Sequence, residues 1–224
     1  MAATPAPRPE PRVPLNRERV LLAAIALADE AGIESLSMRK LGQKLGVEAM
    51  SLYNHVANKD DIEDGIVEIV LGEIELPSDG ADWKAALRQT AISSHEVFVR
   101  HRWACGRLMR RPKVSPARMR WMEAVLKALR EAGFSADLTH HAYHALDSHI
   151  TGFTLWQVSM PFSSREEMVD LAEGFLSEIP ADVYPYVIEH AEQHLAPSSP
   201  DGKTEFEFGL ELILDGLERL RETG

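Results

Sequence analysis

Apolar side chains recur along this chain at intervals of about three and four residues, and no stretch alternates strictly between apolar and polar positions. The pattern predicts an all-α protein. Asn16 has the chemistry of an N-cap for a first helix running to Ala31, with Val20, Ala23, Ala24, Leu27 and Ala31 on one face and Gly32 at its end. Ser37 caps a second helix in which Leu41 and Leu45 fall four apart, with Met38 one turn earlier. Gly46 follows Leu45 directly, where a left-handed residue commonly ends a helix. After Val47 the chain restarts a helix carrying Leu52 and Val56 inward, and Ile33, Leu36 and Val47 complete a three-helix core. Asn58 opens a fourth helix with Asp60 and Asp61 in its favourable first turn. Its apolar face is Ile62, Ile66, Ile69 and Leu76, and Leu76-Pro-Ser-Asp-Gly80 ends it.

Further helices are expected near 82–102, 103–111, 115–132, 136–159, 164–178, 181–195 and 204–222, with a loop over 196–203. The last is unusual. Its polar positions Glu207, Glu211, Asp215, Glu218 and Glu222 form one narrow stripe, and nearly everything else is apolar or glycine. A helix apolar over most of its circumference is buried on more than one side, so a second subunit is expected against it. Gly209 and Gly216 allow close helix approach. The expected interface joins Leu210, Ile213, Leu214 and Leu217 to Ala145, His149, Gly152 and Trp156 of the helix near 136–159, as half of a four-helix bundle.

The short helices around Gly46 have the layout of a helix-turn-helix, whose second helix meets base edges in the major groove. A helical hairpin with a merely solvated polar face has the same periodicity. The residues themselves go further. Leu-Asn-Arg-Glu-Arg-Val from Leu15, Ala-Asp-Glu-Ala-Gly-Ile-Glu-Ser-Leu-Ser-Met-Arg-Lys-Leu from Ala28, and Leu-Gly-Val-Glu-Ala-Met-Ser-Leu-Tyr-Asn-His-Val-Ala-Asn-Lys from Leu45 closely resemble the DNA-binding domain of the tetracycline-repressor family. The resemblance runs from Leu15 to about Leu71 and implies a homodimeric repressor, released from a near-palindromic operator by a small molecule. It implies DNA contacts through Ser37, Met38, Arg39, Lys40, Glu48, Ala49, Met50, Ser51, Tyr53, Asn54, His55 and Lys59. Tyr53, His55 and Lys59 suit phosphates, while Asn54 and Met50 suit base edges. The terminal helix also resembles the family's dimerisation helix, and the fourth is implied to bridge the two parts.

Net charge of −11 looks unfavourable for DNA, but its distribution changes the picture. Residues 1–60 hold 8 Lys+Arg against 7 Asp+Glu, and the remaining residues hold 16 against 28. The acidic load lies outside the segment that resembles a DNA binder. The expected organisation is an arm at 1–14, the helix-turn-helix domain at 15–62, and a ligand-binding and dimerisation domain at 63–224. The arm carries five prolines, with Arg8 and Arg12, and reads as a solvated tail or as a basic strand along DNA. No apolar run is long enough to cross a bilayer, no signal-peptide core is present, and the single Cys105 excludes an internal disulfide; a cytoplasmic protein is expected.

Candidate chemistry is sparse. His140, His141 and His144 invite a metal site or an enzyme on a helical bundle, since His140 and His144 lie four apart, but the motif lacks a third ligand. There is no nucleophile elbow, phosphate loop or dinucleotide fingerprint, so no catalytic residue and no cofactor are expected. Arg102 and Arg107 flank Cys105, which raises the prospect of a lowered thiol pKa. The better candidate is an effector cavity among the later helices, lined by Phe98, Trp103, Trp121, Met122, His144, Asp147, Ser148 and Thr151: aromatic and thioether surface with a few polar groups. The stretch Trp103 to Leu108 offers no counterpart of the metal-holding histidine that the resemblance implies for tetracycline itself.

Overall fold

The structure is a computed structural model that describes residues 14–78, 80–110, 114–161, 164–195 and 204–223. Apart from Pro14 the arm lies outside the described residues, as does the loop at 196–203. Eleven α-helices and no strand occur among the described residues. The chain divides into two compact units, Met1–Val70 and Leu71–Gly224.

In the first unit, α1 (Arg17–Ala31) is capped by the Asn16 side chain, which accepts from the Arg19 amide at 2.8 Å. Its buried face is Val20, Leu21, Ala24, Ile25 and Ala28. Ala31, read from the pattern as inward, is exposed and Leu27 only half-buried. The core stripe is set by where the neighbouring helices lie, which shifts it toward Leu21 and Ile25. Gly32 ends α1 at φ 77°, and a 3-10 turn over Ile33–Ser35 leads into α2 (Met38–Leu45). The Ser37 hydroxyl accepts from the Lys40 amide at 3.3 Å, and Gly46 takes the left-handed conformation at φ 67°, ψ 33°. The helix expected after Val47 is short: α3 covers Ala49–Leu52, and hydrogen-bonded turns carry the chain on to Val56. Leu52 and Val56 are buried nonetheless, each stabilising the unit by about 2 kcal/mol.

Helix α4 (Lys59–Gly72) begins at Asn58, whose side chain accepts from the Asp61 amide at 2.9 Å. It stops at Gly72, four residues short of the expected end. Ile74 is buried beyond it, whereas Leu76 is 42% exposed and does not continue the apolar face.

The second unit contains α5 (Trp83–Arg100), α6 (Arg102–Arg110), α7 (Pro116–Glu131), α8 (Ala136–Ser159), α9 (Arg165–Glu178), α10 (Pro185–Leu195) and α11 (Glu205–Thr223). Helices α5, α7, α8 and α11 pack around one core, with α6 against α5 and α8. The segment after α4 is tied to α5: the Ser93 hydroxyl accepts from the Glu75 amide at 3.0 Å, and Arg100 pairs with Glu73 at 2.6 Å. Helices α9 and α10 pack chiefly on each other. They leave Phe175, Tyr184 and Tyr186 more than half exposed.

The polar stripe of α11 faces α5. Lys84 pairs with Asp215 and Glu218, and Arg88 with Glu207 and Glu211. Phe206, Leu210, Leu214 and Leu217 lie beside that seam and are buried within the protomer. Leu210, Leu214 and Leu217 therefore belong to this chain's own core. The free apolar positions of α11 are Phe208, Leu212 and Leu220, at 64%, 59% and 55% exposed. The pattern placed Leu210, Leu214 and Leu217 at the interface because burial inside one protomer and burial against a second ask for the same helical spacing.

Candidate nucleic-acid interface and effector core

The first unit holds its outward residues on a tightly braced turn. Gly42 lies inside α2, where glycine ordinarily costs about 1 kcal/mol relative to alanine. Its reason is close approach: a Cβ there would meet the Val47 carbonyl oxygen at 2.8 Å and the Ala49 amide nitrogen at 3.2 Å. Gly42 thus lets the backbone entering α3 lie directly on α2, while Gly46 makes the bend. The signal for Gly42 was in the sequence, as a glycine in a helix interior, and sequence reasoning passed over it.

With Leu52 fully buried, α3 presents Met50 at 75% exposure, and Tyr53 and Asn54 are exposed on the turn that follows. Arg39, Lys40 and Glu48 are exposed too, whereas Ser37, Met38, Ala49, Ser51, His55 and Lys59 are half-buried. Ser37 is occupied as a cap, and Lys59 lies 3.4 Å from Glu63. Arg17, given no role of its own by the sequence, forms a two-pronged pair with Asp61 at 2.8 and 2.7 Å and reaches the His55 carbonyl at 3.4 Å. Asp61 also accepts from the Ala57 amide at 2.9 Å. The pair raises the Arg17 pKa above its ordinary value. It ties α1 and the start of α4 to the turn that carries His55. The signal was an arginine opening α1 and an aspartate in the first turn of α4, which sequence spacing does not relate.

In the second unit the residues proposed for an effector separate into two groups. Phe98, Trp103, Trp121 and Thr151 are buried, with Met122 half-buried. Trp121 meets Tyr143 edge-on with ring centroids 5.9 Å apart, and its buried indole N–H has no hydrogen-bond partner among the described residues. Beside it Asp147 pairs with Arg118 at 3.4 Å, and Arg118 also hydrogen-bonds Tyr143. Thr151 donates to the Asp147 carbonyl at 2.6 Å. His144 and Ser148 are exposed on another side of α8, near His140 and His141. Arg118 and Tyr143 were missed because a cation and a phenol look like ordinary surface residues until their burial is known.

Cys105 is buried and its S–H points to the Thr151 carbonyl at 3.6 Å. Burial, then Asp147, pushes its thiol up to about 11, and Arg118 only partly opposes this. The lowering anticipated from Arg102 and Arg107 is not found; desolvation dominates. The rings of His140 and His144 lie 4.6 Å apart, and among the described residues no three metal-ligating side chains converge. No helix among those residues is long and apolar enough to cross a membrane.

A second histidine pair lies in the core. The His95 ring stacks on Phe206 with centroids 4.0 Å apart, and His149 stacks on the same ring at 4.8 Å. His95 Nδ1 lies 2.8 Å from the Thr154 hydroxyl, and His149 Nε2 donates to the Phe206 carbonyl at 2.9 Å. Burial, with a smaller contribution from His149, lowers His95 to about 4. His149, read as facing a partner subunit, is thus engaged with the start of α11, and a Cβ on Gly209 would meet its Cε1 at 2.6 Å. Ala145, Gly152 and Trp156 are exposed, and Ile213 is half-buried.

Comparison with known proteins matches this geometry. Residues 20–63 fit the profile of bacterial regulatory proteins of the tetR family, and residues 76–221 fit the tetracyclin repressor-like C-terminal domain. The chain is 32% identical to the HTH-type transcriptional repressor DrrR1 of Streptomyces coeruleorubidus, over 94% of this chain and 80% of that one. It is 33% identical to the tetracycline repressor protein class D of Escherichia coli, over 91% and 89%. Among solved structures, the Streptomyces coelicolor protein ActR in complex with actinorhodin superposes with a TM-score of 0.70 at 29% identity, covering 93% of this chain and 99% of that one.

Proposed function

We propose a function on one premise: the chain belongs to the tetracycline-repressor family of bacterial transcriptional regulators. It is a ligand-responsive, DNA-binding repressor and not an enzyme. The observation that carries the DNA contacts is the outward set Arg39, Lys40, Met50, Tyr53 and Asn54 around an α3 anchored by the buried Leu52. In our reading Met50 and Asn54, with Ala49, Ser51 and Arg39, meet base edges, while Tyr53, His55, Lys59 and Lys40 meet phosphates. Ser37, Met38 and Glu48 flank them, with Ser37 holding α2 in place.

The working form is a cytoplasmic homodimer on a near-palindromic operator, each protomer filling one half-site. Exposed apolar side chains support this: Trp156 with Ala145 and Gly152 on α8, and Phe208, Leu212 and Leu220 with the half-buried Ile213 on α11. The effector is an aromatic small molecule held among Phe98, Trp103, Trp121, Met122, Asp147 and Thr151. The unpartnered Trp121 N–H and the Arg118–Asp147 pair supply its polar contacts. That ActR was crystallised with actinorhodin supports an aromatic class. His144 and Ser148, exposed in one protomer, enter the effector site only if a partner subunit covers them. Effector binding and operator release are linked reciprocally, since each favours a different conformer.

Selecting bound duplexes from a random library tests the reading. The expected product is an inverted repeat with half-sites about one helical turn apart. Recovery of sequences without symmetry would refute it.

A further inference from the structure

We propose that the second unit carries a second small-molecule site, separate from the effector core. It is the groove between residues 76–78 and 80–82, the outer face of α7 and the last turn of α11, and it takes an amphipathic organic anion with a hydrogen-bond donor beside its acidic group.

The groove encloses about 810 Å³, within the range of small-molecule pockets. It is not the core described above. Helix α7 turns Ala117, Trp121, Val125 and Leu129 inward, while Met119, Glu123, Ala124 and Ala128 line the groove on another side of the same helix. The apolar surface offered to a ligand includes two large exposed side chains, Met119 and Leu76, each 42% exposed.

Arg221 determines the class of ligand. Its guanidinium carbon lies 5.3 Å from the centroid of the Trp83 ring and 5.9 Å from that of Phe134, and these two rings meet edge-on at 4.9 Å. Among the described residues it has aromatic neighbours and no carboxylate or carbonyl acceptor. Stacking on aromatic faces holds a cation in place without neutralising it, so its N–H fork stays available to an incoming anion. The acidic side chains of the groove are placed differently. Asp82 caps α5 by accepting from the Ala85 amide at 2.9 Å, and Glu131 lies 3.9 Å from Lys127. Glu123 is exposed and lines the same groove. An anion alone would satisfy Arg221 and face Glu123 unfavourably. A ligand with an N–H or O–H donor near its acidic group answers both.

The probe that fits is 8-anilinonaphthalene-1-sulfonate: an aromatic body, one sulfonate and one anilino N–H. Its fluorescence is titrated with the full-length protein and with Arg221→Gln, Ala128→Trp, which fills the groove, and Tyr186→Ser, which alters an exposed aromatic on α10. Beside binding in the effector core, which the groove variants leave unchanged, one further saturable class is expected, about tenfold weaker in Arg221→Gln and absent in Ala128→Trp, with Tyr186→Ser unchanged. Identical titrations for the parent and both groove variants would overturn the proposal, as would loss of binding in Tyr186→Ser alone. Should Arg221→Gln fail to fold, Ala128→Trp alone decides between these outcomes. Operator binding is not part of this test, so its result leaves the DNA-binding reading unchanged.

Discussion

The Arg17 guanidinium grips the Asp61 carboxylate with both terminal nitrogens, at 2.8 and 2.7 Å, across 44 residues of sequence. Asp61 also accepts from the Ala57 amide, so one carboxylate links α1, α4 and the turn leaving α3. Arg17→Ala is expected to cost about 1 kcal/mol, because both side chains are partly exposed and solvent weakens the pair. Asp61→Ala should cost more, about 2 kcal/mol, since the Ala57 amide loses its acceptor as well. Urea denaturation of both variants checks the order. Equal effects would mean that the Ala57 bond contributes nothing.

Lys59 and Met50 are expected to fail differently on DNA. Lys59→Ala removes a phosphate contact, so affinity should fall for every sequence, with the salt dependence shallower by about one unit of slope or less. Glu63, 3.4 Å away, already draws on that charge, which keeps the effect below a full unit. Met50→Gln instead changes the preferred bases at one position of each half-site, by about 1 kcal/mol. Salt titrations and sequencing of selected sites separate the two. An unchanged slope in the first, or an unchanged site preference in the second, would remove that residue from the interface.

Two leucines on α11 make a paired test of the dimer. Leu214 is fully buried in its own protomer and Leu212 is 59% exposed. Leu214→Glu places an unpaired carboxylate in the core and should cost about 3 kcal/mol or more, lowering thermal stability whatever the oligomeric state. Leu212→Glu should leave a folded protomer that sediments as a monomer. A Leu212→Glu variant that stays dimeric would move the interface away from this face of α11.

His95 predicts a pH dependence. Its folded pKa, about 4, lies below its ordinary value, so folding favours the neutral ring. That contribution is fully present above about pH 6.5 and is lost as pH falls toward 4. The ring is partly exposed, so the contribution is on the order of 1 kcal/mol. His95→Gln should destabilise at pH 7 and show a smaller further loss on acidification than the parent. Parallel stability curves between pH 7 and pH 4 would contradict this.

Much of the fold was readable because its punctuation is chemical. Asn16, Ser37 and Asn58 have side chains that satisfy orphan amides, and Gly46 takes a backbone conformation that other residues avoid, so those helix ends lie where expected. The facing of a helix is less readable. Ala31, Leu76 and Leu214 are apolar at plausible spacings, and only the surrounding helices decide which of them is buried. The outward residues of α3 were readable through Leu52, since one buried anchor fixes what its helical neighbours present. Long-range polar partners were not. Arg17 with Asp61, Arg118 with Asp147 and His95 with Phe206 are brought together by packing, and their sequence spacing carries no period.

The measurement closest to the central claim is a stoichiometric titration of the selected operator and of a duplex holding one half-site. Two chains per full site are expected, with the single half-site bound about a hundredfold more weakly or worse, because linked half-sites reinforce each other. One chain per duplex, with equal affinity for the half and full sites, would contradict the account of a dimeric repressor.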